Sequence, residues 1–373
     1  MNSDIRSLFP VTQECIYLDT AYTAPIPTPC MKASFEFTEL RSRGKAGRVD
    51  DWIKEMDRAK INLALLINAH PDEIVLTTNT SEGTNIVASS LQINKPDNII
   101  WDDLEYNSNK LVWLNLQQKN NIENRIVRSN QGAIRFEDYE KVVDENTRVI
   151  SLSLVAHNGG YRYDARQMAD LAHENGAYLH VDACQAVGAF KIDVKEDEID
   201  FLTCGAYKWL LGPTGLAFLY IREGLIPKLE PIYRGWMQVK EWSQDPEKIA
   251  DILFETAQKF QTGTIHFQGI YELNAALNFI QEVGLDQIEK HNFALSRKLW
   301  NMLNEIGMEM YTPEGTMSSI VTCMTPPNMD AGRFLAENNI IVTSREGLIR
   351  FSPHLFNIDA EIEHAVEVLK RCL

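Results

Sequence analysis

Three short stretches of the chain carry side chains whose types and spacing could do chemistry. In Tyr178-Leu-His-Val-Asp182-Ala-Cys-Gln185 an apolar run ends in an aspartate, and a glutamine follows three residues later. A carboxylate at the carboxyl end of a buried strand is desolvated unless a cation or a donor faces it; an aspartate before a turn also suits a helix N-cap. In Cys204-Gly-Ala-Tyr207-Lys208-Trp-Leu-Leu-Gly-Pro-Thr-Gly215 a lysine stands between the apolar runs Ile199–Thr203 and Leu216–Ile221. Desolvation lowers a lysine's pKa and frees its amine to form a Schiff base, whereas a lysine that snorkels from a loop keeps its charge in water. In Thr77-Thr-Asn-Thr80-Ser81-Glu-Gly83-Thr84-Asn85 small hydroxyl residues and a glycine lead from an apolar run into a helical pattern. Such a helix start offers backbone N–H groups and a favourable dipole to a phosphate, or is an ordinary capped helix.

Each stretch alone has a structural explanation. Together they fit one cofactor, pyridoxal 5′-phosphate, which needs a lysine to hold it, an acid facing the pyridine nitrogen and a cup for the phosphate.

Those residues must be positioned by a larger frame. Apolar runs at Glu73–Thr77, Asn98–Trp101, Val149–Val155, Ala177–Val181, Ile199–Thr203 and Leu216–Ile221 read as strands. Several lack polar alternation, as strands buried on both faces of a parallel sheet do. Amphipathic stretches lie between them, such as Ala165–Asn175, which Gly176 closes. Alternating strands and helices predict an α/β fold, a mostly parallel doubly wound sheet with ligands at the carboxyl ends of its strands. After about Phe260 helices at Ile270–Val283, Ala294–Ile306 and Ala360–Leu369 accompany short strands at Ser319–Cys323 and Gly347–Phe351, the texture of a smaller α+β domain. The expected division is a large cofactor-binding domain over 14–260 and a small domain built from 1–13 and 261–373.

Composition removes several function classes. The 373 residues carry 36 Lys+Arg against 52 Asp+Glu, a net charge of −16, which disfavours a nucleic-acid surface. The basic stretch Arg41 to Arg48 is short and broken by glycine. Hydrophobic residues at 45% and charged residues at 24% are globular values and disfavour disorder. The start, Met1 to Gln13, lacks the apolar core of a signal peptide, and no apolar run approaches the ~20 residues of a membrane span. Cys15, Cys30, Cys184, Cys204, Cys323 and Cys372 are scattered without metal-ligand spacing, as in a reducing compartment. A cytoplasmic protein without structural metal is expected, with no membrane and no nucleic acid as partners.

With these residues in view, the chain resembles the class V aminotransferases. They form a branch of the fold-type I pyridoxal-phosphate enzymes that includes cysteine desulfurases, kynureninase and isopenicillin-epimerase-like enzymes. The resemblance runs from Tyr17-Leu-Asp-Thr-Ala-Tyr22 to Arg350-Phe-Ser-Pro-His-Leu-Phe-Asn357 and is carried most specifically by Asp182-x-x-Gln185 and Tyr207-Lys208-x-x-x-Gly212-Pro213-x-Gly215. It implies that Lys208 is the Schiff-base lysine and proton shuttle, and that Asp182 pairs with the pyridine nitrogen. By the same resemblance Gln185 bonds the ring's phenolic oxygen, and Thr80 and Ser81, helped by Tyr207, hold the phosphate. Tyr106, in Leu104-Glu-Tyr106-Asn-Ser-Asn109, matches the aromatic residue that stacks on the cofactor, where desulfurases carry histidine. His157 lies where the family often has an asparagine near the cofactor oxygen; a lone histidine is also commonly structural. Thr264, in Phe260-Gln-Thr-Gly-Thr264, resembles the threonine that reaches the neighbouring subunit's phosphate, which implies a homodimer with shared sites. Arg350 matches the clamp for the substrate's α-carboxylate.

The resemblance leaves the reaction open. Desulfurases place a nucleophilic cysteine shortly before the carboxylate arginine, whereas Ile340-Ile-Val-Thr-Ser-Arg345-Glu-Gly-Leu-Ile349 has none. Cys323 lies in an apolar run and reads as core; Cys184, beside Asp182, reads either as a cofactor neighbour or as a small residue filling the turn. A persulfide-forming desulfurase is therefore disfavoured. The expected activity is class V aminotransferase-like chemistry on a small amino acid, ahead of C–S lyase β-elimination, epimerisation, or cofactor binding without catalysis.

Overall fold

The computed structural model describes residues 3–241, 245, 247, 252–325 and 330–371. Cys372 lies outside them. At the centre is a seven-stranded sheet of β1 (Ile74–Thr77), β2 (Asn98–Asp102), β3 (Glu123–Val127), β4 (Thr147–Ser153), β5 (Tyr178–Asp182), β6 (Phe201–Gly205) and β7 (Ala217–Ile221). Their spatial order is β1-β7-β6-β5-β4-β2-β3, and only β7 runs antiparallel to its neighbours. All six strands expected from apolar runs are present within two residues of their expected ends. The strand that apolar content does not reveal is β3, Glu-Asn-Arg-Ile-Val, an edge strand in which only Val127 is fully buried.

Successive strand residues enter two separate buried clusters. Ile74, Leu76, Ile100, Phe218 and Tyr220 join one; Val75, Ile99, Trp101, Leu219 and Ile221 join the other. This is the period of two expected of a sheet covered on both faces. The helices that cover it include α1 (Thr28–Ser42), α2 (Val49–Leu66), α3 (Thr80–Ser90), α4 (Asn107–Asn120) and α5 (Ala165–Glu174). α5 ends where expected, with Gly176 at φ +72°, a left-handed position that a helix stop favours. α6 (Phe267–Val283) packs on α1 and α2.

A third cluster holds Leu295, Leu299 and Leu303 of α7 (Leu285–Glu305) against Val321, Cys323, Ile349, Phe351, Ile362, Val366 and Leu369. It lies between α7, α8 (Asp359–Lys370) and a three-stranded antiparallel sheet. The sheet consists of β8 (Val321–Met324), β9 (Thr343–Arg345) and β10 (Leu348–Phe351) in the order β9-β10-β8.

A strap near the N-terminus links the two sheets. Ile16 and Tyr17 pair with Ile340 and Ile341, and Asp19 bridges to Ser352. Further along the same strap, the Ala21 carbonyl accepts from Gln185 Nε2 at 3.0 Å and the Ala24 N–H donates to the Tyr207 carbonyl at 2.9 Å. The strap thus touches both the carboxyl edge of the large sheet and the start of the C-terminal strands. Among the described residues no helix is long and apolar enough to cross a membrane, and no group of three His, Cys, Asp or Glu is placed to hold a metal.

Candidate active site

Asp182 ends β5, almost wholly buried and beside Ser153 in the β4–β5 ladder. Its Oδ1 accepts from the Cys184 N–H at 2.9 Å and its Oδ2 from Asn109 Nδ2 at 3.0 Å. Burial raises its pKa, and the Cys184 N–H, the Lys208 charge and the Asn109 amide pull it back down.

Lys208 follows β6 in a tight turn. Leu211 N donates to the Lys208 carbonyl and Gly212 N to the Ala206 carbonyl, both at 2.9 Å, with Leu211 at φ +58°. The neighbouring Trp209 is fully buried, its Nε1 donating to Gln185 Oε1 at 2.8 Å and its carbonyl accepting from His354 Nε2 at 3.1 Å. Burial of such an aromatic contributes about 1.5–3 kcal/mol and fixes the backbone from which Lys208 projects. Lys208 Nζ stands 5.9 Å from the centre of the Tyr106 ring and 5.7 Å from that of Tyr207. Gln185, held through Trp209 and Ala21, keeps one amide hydrogen free.

Thr80 and Ser81 open α3. The cap is the Asn79 side chain, whose Oδ1 accepts from Glu82 N at 2.9 Å, so the threonine and serine hydroxyls are not used in capping. The first N–H groups of a helix lack intrahelical partners and face whatever lies beyond its end. α3 can approach the sheet because Gly83 has no Cβ: one placed there would stand 2.8 Å from Thr203 Cγ2. Cys184 is tucked below, its Sγ accepting from Gly205 N at 3.0 Å and lying 3.2 Å from Thr80 Oγ1.

The Tyr106 ring, partly exposed, meets His157 edge-on with centroids 5.0 Å apart. Burial pushes the His157 imidazole down to about 3, so it is neutral at ordinary pH, and its buried Nδ1 has no partner. The His157 carbonyl accepts from Arg350 Nη1 at 2.8 Å. Arg350 Nη2 donates to Thr343 Oγ1 at 3.0 Å and to Asp19 Oδ1 at 3.3 Å, while its buried Nε is unpaired.

The fold therefore gathers Lys208, Asp182, Gln185, Thr80, Ser81, Tyr106, His157, Tyr207 and Arg350 at the carboxyl edge of the large sheet. Thr264 stands apart: it is exposed in the segment before α6, and among the described residues it bonds to none of the others. Four further residues belong to the site and were not singled out from sequence: Asp19 and Thr343, which orient Arg350, and Glu105 and Asn109, which stand around Asp182. Asn109 closes the motif that contains Tyr106, three residues further into the first turn of α4 and on its inward side. That spacing was a usable signal.

These groups fit pyridoxal 5′-phosphate. A buried carboxylate without an ion-pair partner among the described residues suits a protonated pyridine nitrogen. A helix start whose hydroxyls take no part in its capping suits a phosphate, and an arginine with a spare buried donor suits a carboxylate.

Comparison with known proteins agrees. The aminotransferase class-V family profile matches residues 16–361. A probable cysteine desulfurase of Methanothermobacter thermautotrophicus is 30% identical, the match covering 98% of this chain and 97% of that one. The apo cysteine desulfurase of Thermococcus onnurineus NA1 superposes with a TM-score of 0.90 at 26% identity, covering 100% of this chain and 98% of the other. C-DES, in a lysine-to-alanine mutant with glycine covalently linked to its pyridoxal-phosphate cofactor, shares the fold at a TM-score of 0.92 and 19% identity, over 99% of each chain.

Proposed function

This chain belongs to the aminotransferase class-V family and is a pyridoxal-phosphate enzyme, and we propose that it acts at the α-carbon of a small amino acid as an aminotransferase. The observation that carries the reading is the convergence of a lysine amine, a buried carboxylate and an arginine with a free buried donor around Tyr106 and His157.

Pyridoxal 5′-phosphate, when bound, supplies an electron sink that acidifies the substrate's α-carbon. Lys208 is the amine that would hold the cofactor, and its Nζ would take and return the substrate's α-proton. Asp182 would keep a proton on the ring nitrogen by offering it a buried carboxylate. Thr80, Ser81 and Tyr207 would hold the phosphate, Gln185 would offer its free amide hydrogen to the phenolic oxygen, and Tyr106, edge-on to His157, would lie against the ring. Arg350 receives the substrate carboxylate, and its fixed plane sets which face of the α-carbon Lys208 meets.

A second reading is C–S bond cleavage by β-elimination: the relatives above are named cysteine desulfurases, and another solved structure of C-DES is named a cystine C–S lyase. It would proceed without a protein-bound persulfide. The hairpin β9–β10 has no cysteine, Cys323 is fully buried with its thiol pushed up to about 12 by burial, and Cys184 is enclosed beneath α3. Product analysis with an amino-acid panel separates the two. Transamination yields a 2-oxo acid only when a 2-oxo acid acceptor is present, whereas elimination releases ammonia and a thiol or sulfide without one. Release of ammonia with sulfide from cysteine, or with cysteine persulfide from cystine, in the absence of acceptor would replace the first reading by the second.

The proposal includes a homodimer in the cytoplasm. Thr264 is exposed in a single chain, and Ile232, Tyr233 and Trp236 expose large apolar surfaces beside a cavity of about 600 Å³ that reaches Thr262. A second copy covering this face would bring Thr264 to its partner's phosphate. The described cysteines are unpaired, in keeping with a reducing compartment.

A further inference from the structure

Asn109 is fully buried and uses its whole amide. Nδ2 donates one hydrogen to Asp182 Oδ2 at 3.0 Å and the other to Glu105 Oε1 at 3.1 Å, and Oδ1 accepts from Thr84 Oγ1 at 2.8 Å. Glu105 is as deeply buried. The same Oε1 also accepts from the Tyr106 N–H at 2.8 Å and from the Ser153 hydroxyl, while Oε2 has no partner. Among the described residues no cation pairs with Glu105. One carboxyl oxygen thus ties together the loop that carries Tyr106, the end of β4, and the amide that faces Asp182.

An asparagine amide can turn over about its last bond, and here both orientations have a polar environment. Turned over, its nitrogen would meet the Thr84 oxygen, which is also 3.5 Å from His180 Nε2, and its oxygen would confront two carboxyl groups. Two acceptors on the Asp182 side hold the observed orientation; Asp182 alone would leave one. Burial and the neighbouring Asp102 and Asp182 carboxyls raise the Glu105 pKa to about 8, so near neutral pH it can accept these bonds largely without adding a second negative charge beside Asp182.

We propose that Glu105 and Asn109 are positioning residues: Glu105 pins the Asn109 amide with its nitrogen toward Asp182, and the pair fixes the Asp182 carboxylate for the ring nitrogen of the cofactor. This rests on the reading of Asp182 given above. It goes beyond a structural role because its effect must depend on the ring nitrogen itself.

The test uses the full chain freed of cofactor and reloaded with pyridoxal 5′-phosphate or with its 1-deaza analogue, which carries CH in place of the ring nitrogen. Glu105→Leu is expected to weaken pyridoxal phosphate about tenfold, the loss of one hydrogen bond to a charged group, and the deaza analogue by less than about threefold. Glu105→Gln keeps the accepting oxygen and is expected to restore pyridoxal-phosphate affinity to within about threefold of wild type. The visible absorbance of the loaded Glu105→Leu protein should titrate at a shifted pH, while that of Glu105→Gln should titrate as wild type does. Equal weakening of both cofactors, no weakening of either, or failure of glutamine to rescue overturns the inference. If Glu105→Leu does not fold, Asn109→Ser is measured with the same two cofactors, and equal weakening is again fatal. A wild-type chain that binds both cofactors equally overturns the Asp182 assignment itself; a wild type that prefers pyridoxal phosphate, with variants that keep the preference, overturns only the positioning role.

Discussion

Thr343 and Arg350 face each other across the β9–β10 hairpin, and the threonine hydroxyl accepts a 3.0 Å hydrogen bond from the arginine Nη2. Asp19 shares that nitrogen and the His157 carbonyl takes Nη1, so the guanidinium is held on two edges while Nε stays free. Arg350→Ala should therefore keep the visible absorbance of the bound cofactor and lose about ten- to a hundredfold in kcat/KM for amino acids, the worth of one charge-assisted pair. Amines without a carboxylate should be little affected, and Arg350→Lys should not restore activity, because an ammonium cannot reproduce the fork. Steady-state kinetics on an amino acid and its decarboxylated amine decide it; equal losses on both would remove Arg350 from the carboxylate site.

Lys208 projects from a turn locked by Trp209 and faces the Tyr106 ring. Borohydride reduction of the loaded protein should attach the cofactor to Lys208 and to no other lysine, read by peptide mass spectrometry. Lys208→Ala should bind cofactor without that covalent attachment. A reduced adduct elsewhere in the wild type would reassign the catalytic amine.

Asp182→Ala should reduce turnover by at least about tenfold while leaving the apo-protein folded, since the buried carboxylate is costly to the fold without a cation. Thermal melts of the apo-proteins beside turnover of the loaded ones separate the two effects. Unchanged turnover would remove the ring-nitrogen role.

If Thr264 serves the partner's phosphate, a mixture of Lys208→Ala chains with Thr264-disrupted chains should regain part of the activity that each lacks alone. Sedimentation supplies the second reading: a fully active monomer contradicts the shared site.

Acid should reveal His180. It is fully buried, bonded at Nδ1 to Ser151 Oγ at 2.9 Å, and burial pushes it down to about 3. Below its unfolded value of about 6.5 the unfolded chain takes up a proton that the folded chain refuses, so its contribution to stability is lost as pH falls from about 6.5 toward 3. The stability deficit of His180→Asn relative to wild type should therefore shrink by about 2 kcal/mol between pH 7 and pH 5. Urea melts of both proteins at the two pH values measure it; a constant deficit would mean that the folded imidazole takes up its proton over the same pH range as the unfolded one.

Much of this was legible in the chain. Buried parallel strands announce themselves as unbroken apolar runs, and the aspartate ending β5, the lysine after β6 and the hydroxyls opening α3 follow directly from where such strands stop. Other parts were hidden for physical reasons. β3 is an edge strand with three polar residues and only Val127 fully buried, so its short apolar content gives little burial signal. Asp19 and Thr343 become partners of Arg350 only through pairings made across more than 300 residues for Asp19 and across a hairpin turn for Thr343. Glu105 was masked by its own chemistry: a glutamate beside a turn reads as solvated, and only the packed structure shows it fully buried.

The strap of residues 16–24 has a consequence for how the enzyme comes into being. Asp19, Leu18 and Tyr17 find their partners at Thr343, Ile341, Ser352 and Asn357. During synthesis the large sheet can complete itself once residue 221 has emerged, yet the strap, which leaves the ribosome earlier, must wait for β9 and β10 before it can settle. Until then Gln185 and Tyr207 have no settled strap beside them, and Arg350, the proposed site for the substrate's carboxylate, does not exist. A nascent chain stalled before residue 340 should therefore bury its sheet and still be blind to amino acids.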